Sequence, residues 1–277
     1  MRFISFRLQT AIFIAPALAL FLLFFAVPSA AMLAEAFSDA GAAWRVLSDP
    51  IFWNSVIGSI FIGLAAPLLS LVVGTAVAIT ISRMPPRRSG WVLFAVSLPL
   101  TFSGLIVAYG FILLLGRAGF VTQILAIFGA DPATVGSFIF SAPGLAVAYS
   151  YYLIPRVVLI VLPALRTFDA GQLAAARSLG AKPGEVLRHI LLPQLAPSLA
   201  TAFGLTAAVA IGAYGTALAL TGTSLNILPL FLYSKISETG TDLPAAAVTS
   251  IVLMALCIAA ICLAEIAHVF LTRRSRG

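Results

Sequence analysis

Charge is what this sequence has least of. Only 9% of its 277 residues are charged, while 61% are hydrophobic; soluble domains carry about 25% charged residues. A soluble globular protein is excluded, and the apolar runs leave no room for a separate soluble domain. Lysine occurs only at Lys182 and Lys235. Neither closes the Gly-x-x-x-x-Gly-Lys-Ser/Thr pattern of a phosphate-binding loop, so this chain is not expected to hydrolyse ATP. The two histidines, His189 and His268, are far apart and have no Cys, Asp or Glu at metal-ligand spacing. The only cysteines, Cys257 and Cys262, lie in the last apolar run and read as packing residues, not a disulfide framework or a metal site. A Gly-x-Ser-x-Gly elbow is missing, so Ser-His-Asp catalysis has no motif to rest on. The net charge of +7 does not point to nucleic acid, because the basic residues flank apolar spans instead of forming one face. No catalytic residue, metal or bound cofactor is expected.

What is present is a series of apolar runs. Six spans can be drawn at about 11–33, 53–82, 90–115, 138–165, 194–222 and 244–271, each near or above the roughly 20 residues that cross a bilayer. The chain is therefore expected to be an all-α integral membrane protein, one transmembrane domain over 1–277. The first run follows Arg2 and Arg7 and is too long for a secretory h-region of about 7–15 residues, so it reads as a retained span, with cleavage as the alternative. With the amino terminus inside, twelve of the sixteen basic residues fall on the inner side. They are Arg2, Arg7, Arg83, Arg87, Arg88, Arg166, Arg177, Lys182, Arg188, Arg273, Arg274 and Arg276. Arg45, Arg117 and Lys235 fall outside, and Arg156 lies within a span. The positive-inside rule thus places both termini, and the loop of about 166–193, in the cytoplasm.

That loop is the polar interruption the chain is built around, LRTFDAGQLAAARSLGAKPGEVLRHILLPQ from Leu165 to Gln194. Asp169 and Gln172 have capping-box spacing. A helix from there would end at Gly180, which suits the left-handed stop position. Pro183 fits the first turn of a second short helix, with Val186, Leu187 and Ile190 on one side and Glu185, Arg188 and His189 elsewhere. Pro193 and Pro197 mark the return to the membrane. The expected result is a helix–turn–helix lying across a membrane face.

The permease subunits of bacterial ABC importers carry a cytoplasmic loop written EAA, three residues, G, nine residues, I, one residue, LP. Ala175, Ala176, Gly180, Ile190, Leu192 and Pro193 occupy the matching positions at that spacing. The chain resembles this family, in the branch that includes spermidine/putrescine, ferric-iron and phosphonate permeases. Ala174 stands where the motif has its glutamate, so no contact through that carboxylate is carried over. The resemblance implies the type I importer permease fold with a cytoplasmic coupling helix, in the bacterial inner membrane. It implies that Asp169, Leu173, Ala174, Ala175, Ala176, Arg177, Leu179, Gly180, Ile190, Leu192 and Pro193 meet an ATP-binding cassette ATPase, which would hold ATP and Mg. A second permease, identical or homologous, and an extracytoplasmic substrate-binding protein complete the implied assembly in membrane lipid. The cargo stays open among polyamine, phosphonate, ferric iron and other small solutes.

Within the spans, small residues recur every four positions at Ala66, Ser70, Gly74, Ala78 and Ser82, and at Gly204, Ala208, Gly212 and Thr216. Close helix packing explains such stripes without a ligand. Breaks near Gly212 and Gly215, beside Tyr214 and Thr216, are equally compatible with a path. Arg156 lies ten residues before Arg166, about 15 Å along a helix and so about half way into a ~30 Å core. An arginine there must face protein or water. It is either a structural residue bonded to a carbonyl freed by Pro155 or to a tyrosine, or a path-facing group that shares a face with Tyr149 and Tyr152. The rival reading is a gradient-driven secondary transporter or channel. It is weakened because Glu265 is the only acidic residue within a span.

Restoring the motif carboxylate with Ala174→Glu should leave transport unchanged or slightly raised. Complete loss of uptake by that variant would mean position 174 is buried against an apolar surface.

Overall fold

A computed structural model describes residues 14–168, 171–172, 176, 178–237 and 241–276. Among these the chain is entirely helical, and six segments are long and apolar enough to cross a membrane. The first, α1 (Ile14–Ala36), contains a π turn at Leu22–Ala26 and is almost bare, with only Ala36 buried. A short α2 (Ala42–Leu47) leads to α3 (Pro50–Ser82), which starts where the Asp49 carboxylate accepts from the Ile51 amide and Pro50 occupies the first turn. The Met84–Pro85–Pro86 turn then reverses the chain into α4 (Pro86–Ser97).

The third apolar run does not form the single helix expected over 90–115. After α4 the chain makes a 3-10 turn at Leu98–Thr101, extends at Phe102, and restarts as α5 (Gly104–Leu115) behind a Ser103 cap. Pro99 lacks the N–H an α-helix needs there, and Ser103 offers a new N-terminus. Two short helices follow, α6 (Phe120–Ile127) and α7 (Pro132–Ser137). Then comes α8 (Ala142–Arg166), capped by Ser141 and beginning four residues later than expected.

α8 is the central element, 61% of its apolar window being buried, against none for α1. It packs on α3 along the small-residue stripe. Ala66, Ser70, Gly74 and Ala78 are buried there, and a Cβ on Gly74 would sit 2.8 Å from Val157 Cβ. Beyond the polar loop a short helix, α9 (Pro183–Val186), runs through a π turn at Leu187–Leu191 straight into α10 (Leu192–Gly212). The expected separation of a surface helix from the next span is therefore absent. Pro193 sits just past the π turn, where the altered hydrogen-bond register accommodates a residue without an N–H.

The fifth run is also broken. α10 stops at Gly212, Ala213 is extended, and α11 (Gly215–Thr221) begins anew. Gly204 and Thr216 thus belong to different helices, and the four-residue stripe ends at the break. Gly204 alone is a tight contact, a Cβ there falling 2.2 Å from Ala264 Cβ. The connection after Thr221 contains a short helix, α12 (Leu228–Ser237), whose Leu228, Pro229, Leu230 and Phe231 are buried. α13 (Leu243–Arg276) closes the chain, with Cys257 half-buried and Cys262 exposed.

At one end of the bundle Arg45 bridges Asp39 at 2.7 Å and Asp242 at 3.2 Å, and Lys235 meets Asp49 at 3.3 Å. The Arg45 guanidinium and the Gly41 amide hold the Asp39 carboxyl below its ordinary range. At the opposite end the Arg166 guanidinium donates to the buried Ser89 hydroxyl at 2.6 Å, tying α8 to α4.

Gly74→Leu should lower stability by about 1–3 kcal/mol, because the added side chain must displace Val157. Gly90→Ala on α4, where nothing lies within 4 Å of the new methyl, should stay within about 1 kcal/mol of the parent. Thermal unfolding of both variants in detergent measures the contrast.

Candidate functional site

The two broken runs meet. α5 starts and α10 gives way to α11 around an open cavity of about 340 Å³. Pro99, Leu100, Phe102 and Gly104 line one side, Val209 and Gly212 to Thr216 another, and Tyr152 and Arg156 of α8 a third. In hydrocarbon, irregular backbone is tolerated only where it is buried in protein or lines a water-filled space. Both conditions are visible here. The Ala213 carbonyl, freed by the break, accepts from the Tyr149 hydroxyl at 2.6 Å. The Gly104 carbonyl accepts from the Thr216 hydroxyl at 3.0 Å. That second bond needs glycine, since a Cβ at position 104 would stand 2.5 Å from the Thr216 oxygen.

Tyr152, Arg156, Tyr214 and Thr216 line the cavity as a group. Tyr149 does not; it is fully buried behind the wall and acts on the break through its hydroxyl. Arg156 Nη1 donates to the Tyr152 carbonyl at 2.9 Å, and the guanidinium carbon lies 5.6 Å from the Tyr152 ring centre. The carbonyl freed by Pro155 is that of Tyr151, one residue earlier, so of the two expected partners Arg156 takes the tyrosine. Tyr214 stacks near Tyr233 of α12, their ring centres 5.4 Å apart. Pro99, Phe102 and Gly104 were not recognised from the sequence as site residues. The available signal was a proline followed by a Ser-Gly pair inside an apolar run.

The polar loop lies at the Arg166 end. Gly180 has φ +82°, the left-handed conformation expected of it, and the Ala181 amide donates to the Ala176 carbonyl at 3.0 Å. This is the Schellman closure of a helix end. Glu185 accepts from the Lys182 amide at 2.8 Å and so caps α9. Gln172 accepts from the Gln194 side chain; the expected capping box rests on Asp169, which lies outside the described residues. Asp169, Leu173, Ala174, Ala175 and Arg177 lie outside the described residues. Leu179 is 89% exposed, Leu192 and Pro193 are also exposed, and Ile190 is half-buried. Val186, Leu191 and Leu195 are buried, the last two in the cluster that contains Val157, Val158, Val161 and Leu162 of α8. The loop is therefore joined by close packing to the helix that carries Arg156.

Residues 70–277 match the model of a family described as binding-protein-dependent transport system inner membrane component. That range contains both the cavity and the polar loop. The chain is 28% identical over 256 residues to the sulfate transport system permease protein CysW of Synechocystis sp., covering 90% of each. It is 27% identical over 197 residues to the molybdenum transport system permease protein ModB of Mycobacterium tuberculosis, covering 69% of this chain and 71% of that protein. Its fold is similar to a chain in the structure of a bacterial alginate ABC transporter in complex with an alginate pentasaccharide-bound periplasmic protein. The TM-score is 0.79 over 95% of this chain and 94% of the other, at 15% identity.

Tyr149→Phe should destabilise the protein by about 1–3 kcal/mol, the usual penalty for a buried carbonyl left without its donor. Thermal unfolding in detergent tests this, and an unchanged transition would mean that water takes over at Ala213.

Proposed function

The chain belongs to the binding-protein-dependent transport system inner membrane components, and on that premise we propose that it forms half of the translocation path of an ATP-driven importer. A second permease, identical or homologous, supplies the other half. A separate ATPase subunit binds ATP and Mg and grips the loop of 166–193, and an extracytoplasmic binding protein delivers the cargo. Both termini and the loop face the cytoplasm of a bacterial cell, following the distribution of arginine and lysine.

The observation that carries this reading is the pairing of two features on one rigid frame. One is an open, partly polar cavity where two spans break. The other is a structured loop that leaves Leu179 and Leu192 uncovered while Leu191 and Leu195 anchor it to α8. Leu179, Leu192 and Pro193 are apolar and face outward at a polar membrane surface, as a docking element does. Gly180 sets the angle between the two halves of the loop. A gradient-driven transporter is not adopted, because Glu265 is exposed on α13 and does not line the cavity. Polyamine, phosphonate and ferric iron are candidate cargoes, to which the names of the relatives add sulfate and molybdenum.

Gly180→Val forces a β-branched residue into a left-handed conformation. It should reduce co-purification of the ATPase subunit and lower uptake in proportion. Full ATPase association and uptake by a normally inserted Gly180→Val protein would remove the loop from this role.

A further inference from the structure

Side chains and backbone amides answer several of the carbonyls at the two breaks. Three carbonyls at the breaks already have partners. Ala213 O is taken by the Tyr149 hydroxyl, Gly104 O by the Thr216 hydroxyl, and Ala210 O by the Ala213 amide at 3.4 Å. Two side-chain donor groups of α8 stand out beside them. The Tyr152 hydroxyl is buried, its residue only 9% exposed, and has no hydrogen-bond partner. The Thr216 hydroxyl is beside it, donating to Gly104 and offering Tyr152 only a lone pair. The guanidinium of Arg156 has five N–H donors, and among the described residues it makes one bond, to the Tyr152 carbonyl. Among the described residues no carboxylate pairs with Arg156 and none lines the cavity. The positive end of α5 also starts at this wall, at Gly104.

We infer that this cavity is the chain's half of a transient oxyanion site, in which Arg156 and the Tyr152 hydroxyl hold a small tetrahedral oxyanion during its passage. The inference rests on the proposed permease role and narrows its cargo. An arginine lining this cavity with no carboxylate beside it repels a polyamine or a free metal cation and attracts an anion. Arg156 stands on the most buried span, about half way through the hydrocarbon core. There the anion has lost water on either side and gains most from charge-assisted hydrogen bonds. The cavity is open on one side, so the opposite wall must come from the second permease.

The test uses the full transporter, with ATPase, second permease and binding protein, in proteoliposomes containing internal ATP. Radiolabelled sulfate, molybdate and 2-aminoethylphosphonate distinguish the possible oxyanions, and spermidine is the cationic probe. ATP-dependent uptake is expected for an oxyanion and not for spermidine. Arg156→Gln should lower the maximal uptake rate at least tenfold, about the worth of one charge-assisted bond. ATPase co-purification and the half-saturating concentration of binding protein should be unchanged. Arg156→Lys, which keeps the charge, should recover a substantial part of the rate, and Tyr152→Phe should lower it several-fold.

Spermidine uptake, or Arg156→Gln transporting an oxyanion at the parental rate, would overturn the inference. If Arg156→Gln fails to assemble, Tyr152→Phe decides. A several-fold loss supports the site, and a parental rate makes Arg156 a structural residue. ATP-dependent import of none of these solutes, with loss of ATPase binding, would defeat the permease role itself. Import that is ATP-driven but indifferent to Arg156 defeats only the oxyanion site.

Discussion

A backbone carbonyl or amide inside a bilayer has no water to turn to, and each one left unpaired costs several kcal/mol. Everything distinctive about this chain follows from breaking two helices under that constraint. The breaks at 98–103 and 213–214 are opposite each other, and each supplies part of the repair. Thr216, at the restart of the second run, donates to Gly104 at the restart of the first. Tyr149 reaches across from the unbroken α8 to Ala213. Remove the neighbouring helix from either break and the carbonyl bonded there would lose its partner.

α8 can serve both breaks because it is itself continuous and the most buried span. Its two prolines, Pro155 and Pro163, remain inside the helix, held by neighbours on several sides. Toward the loop its Val157, Val158, Val161 and Leu162 form one cluster with Leu191 and Leu195. Toward the cavity its Tyr149, Tyr152 and Leu153 form another with Ala210, Ala217 and Leu220. Arg156 lies between the two clusters along the helix, so the charged group of the cavity stands at the seam where the two packed regions join.

Hydropathy located the membrane spans because it sums over about twenty residues and is insensitive to one kink. That same insensitivity hid the two breaks. Pro99 and Ser103 sit in a run too apolar to look interrupted, and Gly212, Ala213 and Tyr214 differ little from an ordinary Ala-Gly helix. Gly180 was legible because a left-handed residue leaves a local mark, a glycine just after a helical stretch. The side-chain bond between Gln172 and Gln194 was not, because Gln194 lies 22 positions away and only the fold brings it close. Arg156 and Tyr152 could be placed on one face from helical spacing. That Tyr152 keeps a free hydroxyl depends on where Thr216 points, which no local pattern encodes.

The π turn at Leu187–Leu191 carries one residue more per turn than the α-helix on either side. It therefore fixes the rotational phase of the polar loop relative to α10. Losing a single residue there would rewind the segment to an α-helix and swing everything before it by about 100° around the helix axis. Leu179 and α9 would then present a different side to whatever sits beneath the membrane. The spacing between Gly180 and Pro193 thus works as a clocking device: its length in residues sets the direction in which the loop points.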